Sequence, residues 1–349
     1  MIRFPRFPVF GEFAVDPGSA NTLVYQRGKG VVLAEPTIVT CRREMGFVDS
    51  GKPLLFGSVA KLMADRLPPD MAAVRPIRRG IVADPDCASS MLRRYFGEIS
   101  SGTPFRLRSR AVVCVPSTGS ARPRRALGDA VRAAGARRIQ VVKKTLAAAI
   151  GAGLPIREAA VSAILDIGAE TCEIGVFSRG GIVHAESIDL GSQALDAAII
   201  RHVEATRGLV ISPPTAETIK CAIADPCFGP GYQEVRVAGR NRESGLLQIL
   251  TIGADEIAVA LWEPIDQIAS LVRGTVASVS GALRDGLLAR GIVLSGGGAL
   301  LRNLCRMIGE ESDLPCRLAE DPLTCAVCGA GAMLERHREF RHLLEDVAP

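Results

Sequence analysis

Lysine is scarce in this chain of 349 residues: only six of the 42 basic residues are lysine. The remainder are arginines scattered in twos and threes, as at Arg78-Arg79, Arg106/Arg108/Arg110, Arg122/Arg124/Arg125 and Arg137-Arg138. Aromatic residues are also few, at 4% with a single Trp, and they are not interleaved with those arginines. Nucleic-acid surfaces pair cations with stacking aromatics or a recognition motif, so the net charge of +5 reads as solvated helix faces. An acidic partner or an anionic lipid surface stays open. No stretch of eighteen uninterrupted apolar residues occurs, which argues against a transmembrane helix and makes any membrane contact peripheral. No secretory leader is expected, and the ten cysteines are spread singly, so they are expected as reduced, buried thiols in a cytoplasmic protein. Cys325-Ala-Val-Cys328 has metal-like spacing but no second pair, and zinc is not expected there. What is present is a globular composition, 48% hydrophobic and 23% charged, long enough for two cores.

Two segments repeat one another. Val15-Asp16-Pro17-Gly18-Ser19-Ala20-Asn21-Thr22-Leu23 and Leu165-Asp166-Ile167-Gly168-Ala169-Glu170-Thr171-Cys172-Glu173 each place Asp-x-Gly at the end of an apolar run and then re-enter another. Each second run ends in a glycine turn, at Gly28 to Gly30 and at Gly180-Gly181, before a third strand. The spacing is near half the chain, so an internal duplication is predicted, with two similar α/β lobes flanking a cleft. A carboxylate, a glycine and backbone amides on both sides of a cleft suit a metal-bound polyphosphate.

Within the first lobe the pattern predicts a buried strand over 111–115, a helix over 121–134, a strand over 139–142 and an Ala-rich helix over 146–150 broken by Gly151 and Gly153. In the second it predicts helices over 191–205 and 215–222, hairpin strands between 233 and 250, and a long helix from Ala254 into the Arg273 region. Gly291 to Gly298 reads as a strand ending in a glycine loop, with Ala299-Leu300-Leu301-Arg302 starting the next helix. Such a loop binds an anion or packs on a flat ring. The alternation belongs to a doubly wound or mixed α/β sheet. Predicted boundaries are 1–33, 80–152 and 325–349 for the first lobe's core with 34–79 inserted, and 153–187 and 252–324 for the second's with 188–251 inserted.

Six segments, Asp16 to Tyr25, Ala147 to Pro155, Asp166-Ile167-Gly168, Thr215 to Lys220, Leu294 to Leu301 and Ala319 to Thr324, together resemble MreB, the bacterial actin-like family of rod-shape determination. A lone Asp-x-Gly is weak evidence, whereas six ordered segments over nearly the whole chain are specific. The resemblance implies an actin-like α/β fold of ribonuclease H-like halves and four subdomains, with ATP and Mg²⁺ in the interlobe cleft. It implies homopolymeric filaments at the inner face of the cell membrane, working with cell-wall synthesis and morphogenesis proteins and not with nucleic acid. Carried over by position, Gly18, Ser19, Ala20 and Asn21 form the first phosphate loop, with Asp16 near the metal's water shell. Asp166, the candidate catalytic carboxylate, opens the second loop of Gly168, Ala169, Glu170 and Thr171, and Gly191 begins a third segment. Glu217, Thr218, Ile219 and Lys220 meet ribose and adenine, and Gly296, Gly297, Gly298, Ala299 and Leu300 lie against the base and α-phosphate. Taken singly, Glu217 and Lys220 read equally well as a solvated helix pair, and the three glycines as a tight connection. A sugar kinase or chaperone-like ATPase shares the duplicated fold, but neither a substrate-binding domain nor a catalytic base is apparent.

Three departures from the family pattern fall on the same chemistry. The family carries Asp-Ile-Gly-Gly-Gly-Thr at the second loop, where this chain has Ala169 and Glu170, adding a Cβ and a carboxylate beside phosphate. Lys144 stands where the family has the glutamate that orients the attacking water, and a protonated lysine has no acceptor. Pro17 replaces a leucine and removes one backbone donor. The expected function is therefore an ATP-binding filament protein with impaired hydrolysis, in which Lys144 and Glu170 form a compensating pair or Lys144 neutralises the γ-phosphate. The alternative is a non-catalytic paralogue that binds little nucleotide and acts as a structural or modulatory subunit.

At the amino terminus, Ile2, Phe4, Phe7, Val9 and Phe10 alternate with Arg3 and Arg6, a mixture suited to a bilayer interface, although Pro5 and Pro8 oppose an amphipathic helix. The other reading is a leader or a strand packed on the first lobe. Membrane contact through residues 1–10 is the expectation, assisted by Met91, Leu92, Tyr95 and Phe96 on a nearby surface.

Overall fold

The computed structural model describes residues 11–44, 47–50, 52–99, 110–224, 233–279 and 281–347. The membrane-contact reading of residues 1–10 lies outside them. The chain forms two compact units, residues 1–154 with 324–349, and residues 155–323.

The first unit is built on a six-stranded sheet in the order Glu345–Asp346, Arg138–Lys143, Arg110–Val115, Glu12–Pro17, Asn21–Gln26, Gly30–Pro36. Glu12–Pro17 is buried along its whole length because it lies parallel to Arg110–Val115 on one side and antiparallel to Asn21–Gln26 on the other. Helix Pro85–Ile99 covers this sheet. Pro85 opens it, and Asp84 caps it by accepting the Cys87 amide at 2.9 Å. Its buried residues, Cys87, Ala88, Met91, Leu92, Tyr95 and Phe96, recur at helical spacing. This corrects the expectation of a membrane-assisting surface: Met91, Leu92, Tyr95 and Phe96 are at most 2% exposed. The Phe96 ring stacks on Phe13 with centroids 6.0 Å apart, and the Tyr95 hydroxyl donates to the Pro36 carbonyl at 2.8 Å. The stripe read as a surface is the core of the unit.

Helix Lys144–Gly151 packs on helix Cys325–Glu335 with their backbones in contact. A Cβ on Gly151 would lie 1.9 Å from the Cys325 carbonyl oxygen, and one on Gly329 would lie 1.8 Å from that of Ala147. Cys325 and Cys328 sit on this small-residue helix, Cys325 buried and Cys328 partly so.

The second unit repeats the plan, with a five-stranded sheet in the order Gly181–Ile188, Cys172–Ser178, Ser162–Ile167, Ile292–Ser295, Cys316–Leu318. Its first three strands form two antiparallel hairpins and its last three are parallel, matching Gly30–Pro36 through Arg138–Lys143 in order and sense. The duplication seen in sequence is thus a duplicated topology. Asp16 pairs with Leu23 and Asp166 with Glu173 in equivalent registers. Helices Ser192–Arg207, Pro213–Ile223 and Ala254–Ser278 pack beside this sheet, and a three-stranded sheet of Leu209–Val210, Glu234–Asn241 and Leu247–Gly253 completes the unit.

One predicted boundary is displaced. Ala299 to Arg302 do not start the next helix. Gly297–Leu300 form a single 3₁₀ turn, and the α-helix begins at Leu304 after Asn303 in the left-handed region. The reason is Gly296, whose φ of +83° turns the chain out of the strand too sharply for a helix to follow directly.

Candidate functional site

The loop after Glu12–Pro17 is tied down from one side. The Thr37 hydroxyl donates to the Gly18 carbonyl at 2.7 Å, and the Thr37 amide donates to the Ala20 carbonyl at 2.8 Å. Thr37 is held in turn by the Thr22 hydroxyl at 2.9 Å, both side chains being fully buried. Peptide units are planar and trans, so each amide points opposite to the carbonyl of its own peptide. With those two carbonyls facing Thr37, the amides of Ser19 and Asn21 face away from it. Gly18 is required by the turn itself, since a Cβ there would lie 2.8 Å from the Asn21 carbonyl oxygen.

The second loop follows the same logic with different partners. The Gly168 and Ala169 carbonyls accept the amides of Ser192 and Gln193, at 2.9 and 2.8 Å, capping the start of helix Ser192–Arg207. The amides of Ala169 and Glu170 consequently point away from that helix. Two successive amides with a common direction are the element from which anion sites are built. Gly191 allows the approach: a Cβ there would lie 2.5 Å from the Ala169 carbonyl carbon. Asp166 is 3% exposed and accepts the Ser295 hydroxyl at 2.9 Å. Asp16 is 8% exposed at the equivalent place. Glu170 is half-buried on the loop.

The glycine loop of the second unit packs on the second Asp-x-Gly. A Cβ on Gly296 would lie 2.4 Å from the Ile167 carbonyl oxygen and one on Gly298 would lie 2.3 Å from the Ile167 side chain. Gly296 also donates its amide to the Pro322 carbonyl at 2.7 Å. Packing within the unit therefore requires these two glycines, while Gly297 and Leu300 are exposed and Ala299 is buried.

The stretch 217–220 does not share one face of its helix, because residues advance by about 100° each. Glu217 and Thr218 are exposed, the Ile219 side chain belongs to the hydrophobic core, and Lys220 turns inward. The Lys220 ammonium is 2.7 Å from Asp196 Oδ1 and donates to the Ser192 carbonyl at 3.1 Å. It joins helix Pro213–Ile223 to the helix that caps the second loop.

Lys144 is the first residue of helix Lys144–Gly151 in the first unit. Its position is set by buried neighbours: the Thr145 amide donates to Ser117 Oγ at 2.9 Å, and that hydroxyl donates to Thr145 Oγ1 at 2.9 Å. Ser117, Thr37, Ser192, Asp196 and Ser295 were not singled out by sequence. Their signal is topological, as each lies on an element brought beside a loop by the fold.

A sequence profile of MreB/Mbl protein matches residues 11–342. The chain belongs to the MreB/Mbl family. It is 39% identical over 327 residues to the cell shape-determining protein MreB of Escherichia coli K12, covering 93% of each chain. It is 31% identical over 324 residues to the cell shape-determining protein Mbl of Bacillus subtilis 168, covering 93% of this chain and 96% of that one. Among solved structures, MreB5 of Spiroplasma citri bound to AMPPNP superposes with a TM-score of 0.88 at 25% identity, over 95% of this chain and 98% of that one. A MamK double helical filament matches in fold, with a TM-score of 0.75 at 19% identity over 94% and 99%. The fold of this MreB/Mbl-family chain is actin-like.

Proposed function

We propose that this chain binds ATP with Mg²⁺ through the loops at 16–21, 166–171 and 296–298, assembles with itself into filaments, and supports cell shape and cell-wall synthesis at the inner face of the membrane. Hydrolysis is impaired by Lys144 and Glu170. The observation that carries this reading is the orientation of the two Asp-x-Gly loops, each with carbonyls held by a neighbouring segment and amides aimed the other way. Binding of AMPPNP and of ADP by the similar MreB5 supports the choice of ligand. The cell shape-determining relatives support the cellular role, and the MamK filament supports self-assembly at the level of fold.

Among the described residues no cluster of three His, Cys, Asp or Glu side chains is arranged to hold a metal. Mg²⁺ would be held through phosphate oxygens and water, with Asp16, by the family resemblance, acting through that water. Bound nucleotide would supply the γ-phosphoryl group. The amides of Ser19, Asn21, Ala169 and Glu170 would hold phosphate oxygens, and the Glu170 carboxylate would oppose them. Lys144, lacking an acceptor when charged, would not orient an attacking water. The half-buried Glu170 also favours a second reading, a non-catalytic subunit with little nucleotide bound.

Calorimetric titration with MgATP, followed by phosphate release and sedimentation, separates the two. Tight binding, slow release and ATP-dependent pelleting are expected. Absence of binding by folded protein eliminates the nucleotide reading and leaves the structural subunit. Deleting residues 2–10 should weaken liposome binding, and unchanged binding would sink the membrane contact.

A further inference from the structure

Two pairs of thiols approach one another among the described residues. Cys41, on strand Val39–Glu44, and Cys87, on helix Pro85–Ile99, lie 3.6 Å apart, both fully buried and out of reach of a dissolved reagent. Cys305 and Cys316 are closer, with sulfurs 3.0 Å apart, and both are partly exposed. That separation is about 1 Å longer than a disulfide bond, so bonding needs only a small movement of two side chains. Cys305 lies in the first turn of helix Leu304–Ser312, and Cys316 opens the edge strand Cys316–Leu318. Gly309 stands one turn after Cys305 on the same helix face, and a Cβ there would already lie 3.2 Å from the Cys316 Cβ. The helix and strand are therefore packed closely at this point, and the sulfurs are held towards each other.

We propose that Cys305 and Cys316 form a reversible dithiol–disulfide site, oxidised by hydroperoxides, that ties helix Leu304–Ser312 to the edge strand of the second unit. One thiolate attacks the peroxide oxygen and becomes a sulfenic acid as the O–O bond breaks. The second thiol displaces hydroxide from that sulfur, and the S–S bond forms. In sum, two thiols and one hydrogen peroxide give one disulfide and two waters, and an external dithiol reverses the step by exchange. Burial and the adjacent thiol push Cys316 well up from the ordinary thiol range, so Cys316 stays protonated as the resolving thiol and attack on the peroxide falls to Cys305. In a reducing compartment such a disulfide is transient. The tie lies beside the glycine loop: Ala319 donates to the Leu294 carbonyl at 2.9 Å just past the strand, and Pro322 holds the Gly296 amide at 2.7 Å.

The test treats the reduced full-length chain with hydrogen peroxide, alkylates the remaining thiols and maps peptides by mass spectrometry. A Cys305–Cys316 linked peptide lacking two hydrogens, restored by dithiothreitol, is expected. After peroxide, dimedone should trap a sulfenic acid at Cys305 in Cys316→Ser and little at Cys316 in Cys305→Ser, whereas the parent chain should accumulate the linked peptide. The linked chain should also melt at a higher temperature than the reduced one, a shift absent from both serine variants. Oxidation of exposed Cys221 while Cys305 and Cys316 are still alkylated would overturn the site. So would a lasting dimedone adduct at Cys305 or Cys316 of the parent chain in place of the linked peptide. An unchanged melting temperature in the linked chain would overturn the tie between helix and strand. Because the mapping uses the parent chain, it decides the matter even where a serine variant folds poorly.

Discussion

Ser295 donates its hydroxyl to Asp166 Oδ1 at 2.9 Å, joining two parallel strands at the point where the second Asp-x-Gly loop begins. Ser295→Ala removes a buried, charge-assisted hydrogen bond and should cost about 1.5–3 kcal/mol in urea unfolding. Nucleotide affinity should fall with it, because the carboxylate loses a group that positions it. A variant of parental stability and affinity would show the bond to be inconsequential.

Gly191→Ala tests whether the second loop depends on the helix behind it. The new Cβ would lie 2.5 Å from the Ala169 carbonyl carbon, and rigid backbone on both sides leaves it no room. A loss of about 1–3 kcal/mol is expected. The loop amides should also be redirected, so that MgATP titration shows at least tenfold weaker binding while circular dichroism stays unchanged.

Restoring the family residues at both departures, Lys144→Glu with Glu170→Gly, should raise phosphate release well above the parent. Each single change should achieve less, since one supplies the acceptor for water and the other removes a carboxylate from the phosphate loop. A folded double variant with no gain would refute the proposed roles of Lys144 and Glu170.

His337 provides a pH test in the first unit. Burial, with Arg110 and Arg341 nearby, holds its imidazole below the ordinary 6.5, against weaker opposing effects of Glu12 and Asp346. Its Nε2 meets the Gln140 side-chain carbonyl at 2.9 Å, and the Gln140 amide donates to Asp346 at 3.0 Å. The folded state favours neutral histidine, so the unfolded chain takes up a proton first as pH falls through 6.5. Its contribution is complete above that value and declines below it until the folded value is passed. Urea midpoints measured from pH about 7.5 to about 5.5 should fall more steeply for the parent than for His337→Gln.

Gly329→Leu should disrupt the first unit severely. Even a Cβ at Gly329 would lie 1.8 Å from the Ala147 carbonyl oxygen, and helices Lys144–Gly151 and Cys325–Glu335 would have to separate. Loss of cooperative unfolding is the expected result.

Local pattern was enough for several conclusions. The alternation of apolar runs and turns identified the strands around Asp16 and Asp166, their glycine hairpins and the helices behind them, because strand and helix periods are properties of short segments. The repeat of Asp-x-Gly established the duplication, and the six ordered segments established the family. Sequence also exposed Glu170 and Lys144 as departures, since residue identity is sufficient to say that a carboxylate or an ammonium stands at a given place.

Direction is what the sequence left open. Met91, Leu92, Tyr95 and Phe96 form an apolar stripe, and a stripe suits a membrane and a core equally; the sheet under helix Pro85–Ile99 made it core. Glu217 to Lys220 looked like one binding group, yet helical rotation put Ile219 inside and Lys220 against Asp196. Thr37 and Ser192 became the supports of the two loops only because the fold returned distant chain to Gly18, Gly168 and Ala169. Periodicity describes a segment's own faces, whereas the partner of each face is chosen by tertiary packing. Sequence alone therefore determined the family, the duplication and the altered charges, and tertiary structure decided which side chains and carbonyls are spent holding the frame and which way the loop amides turn, because those partners come from distant chain.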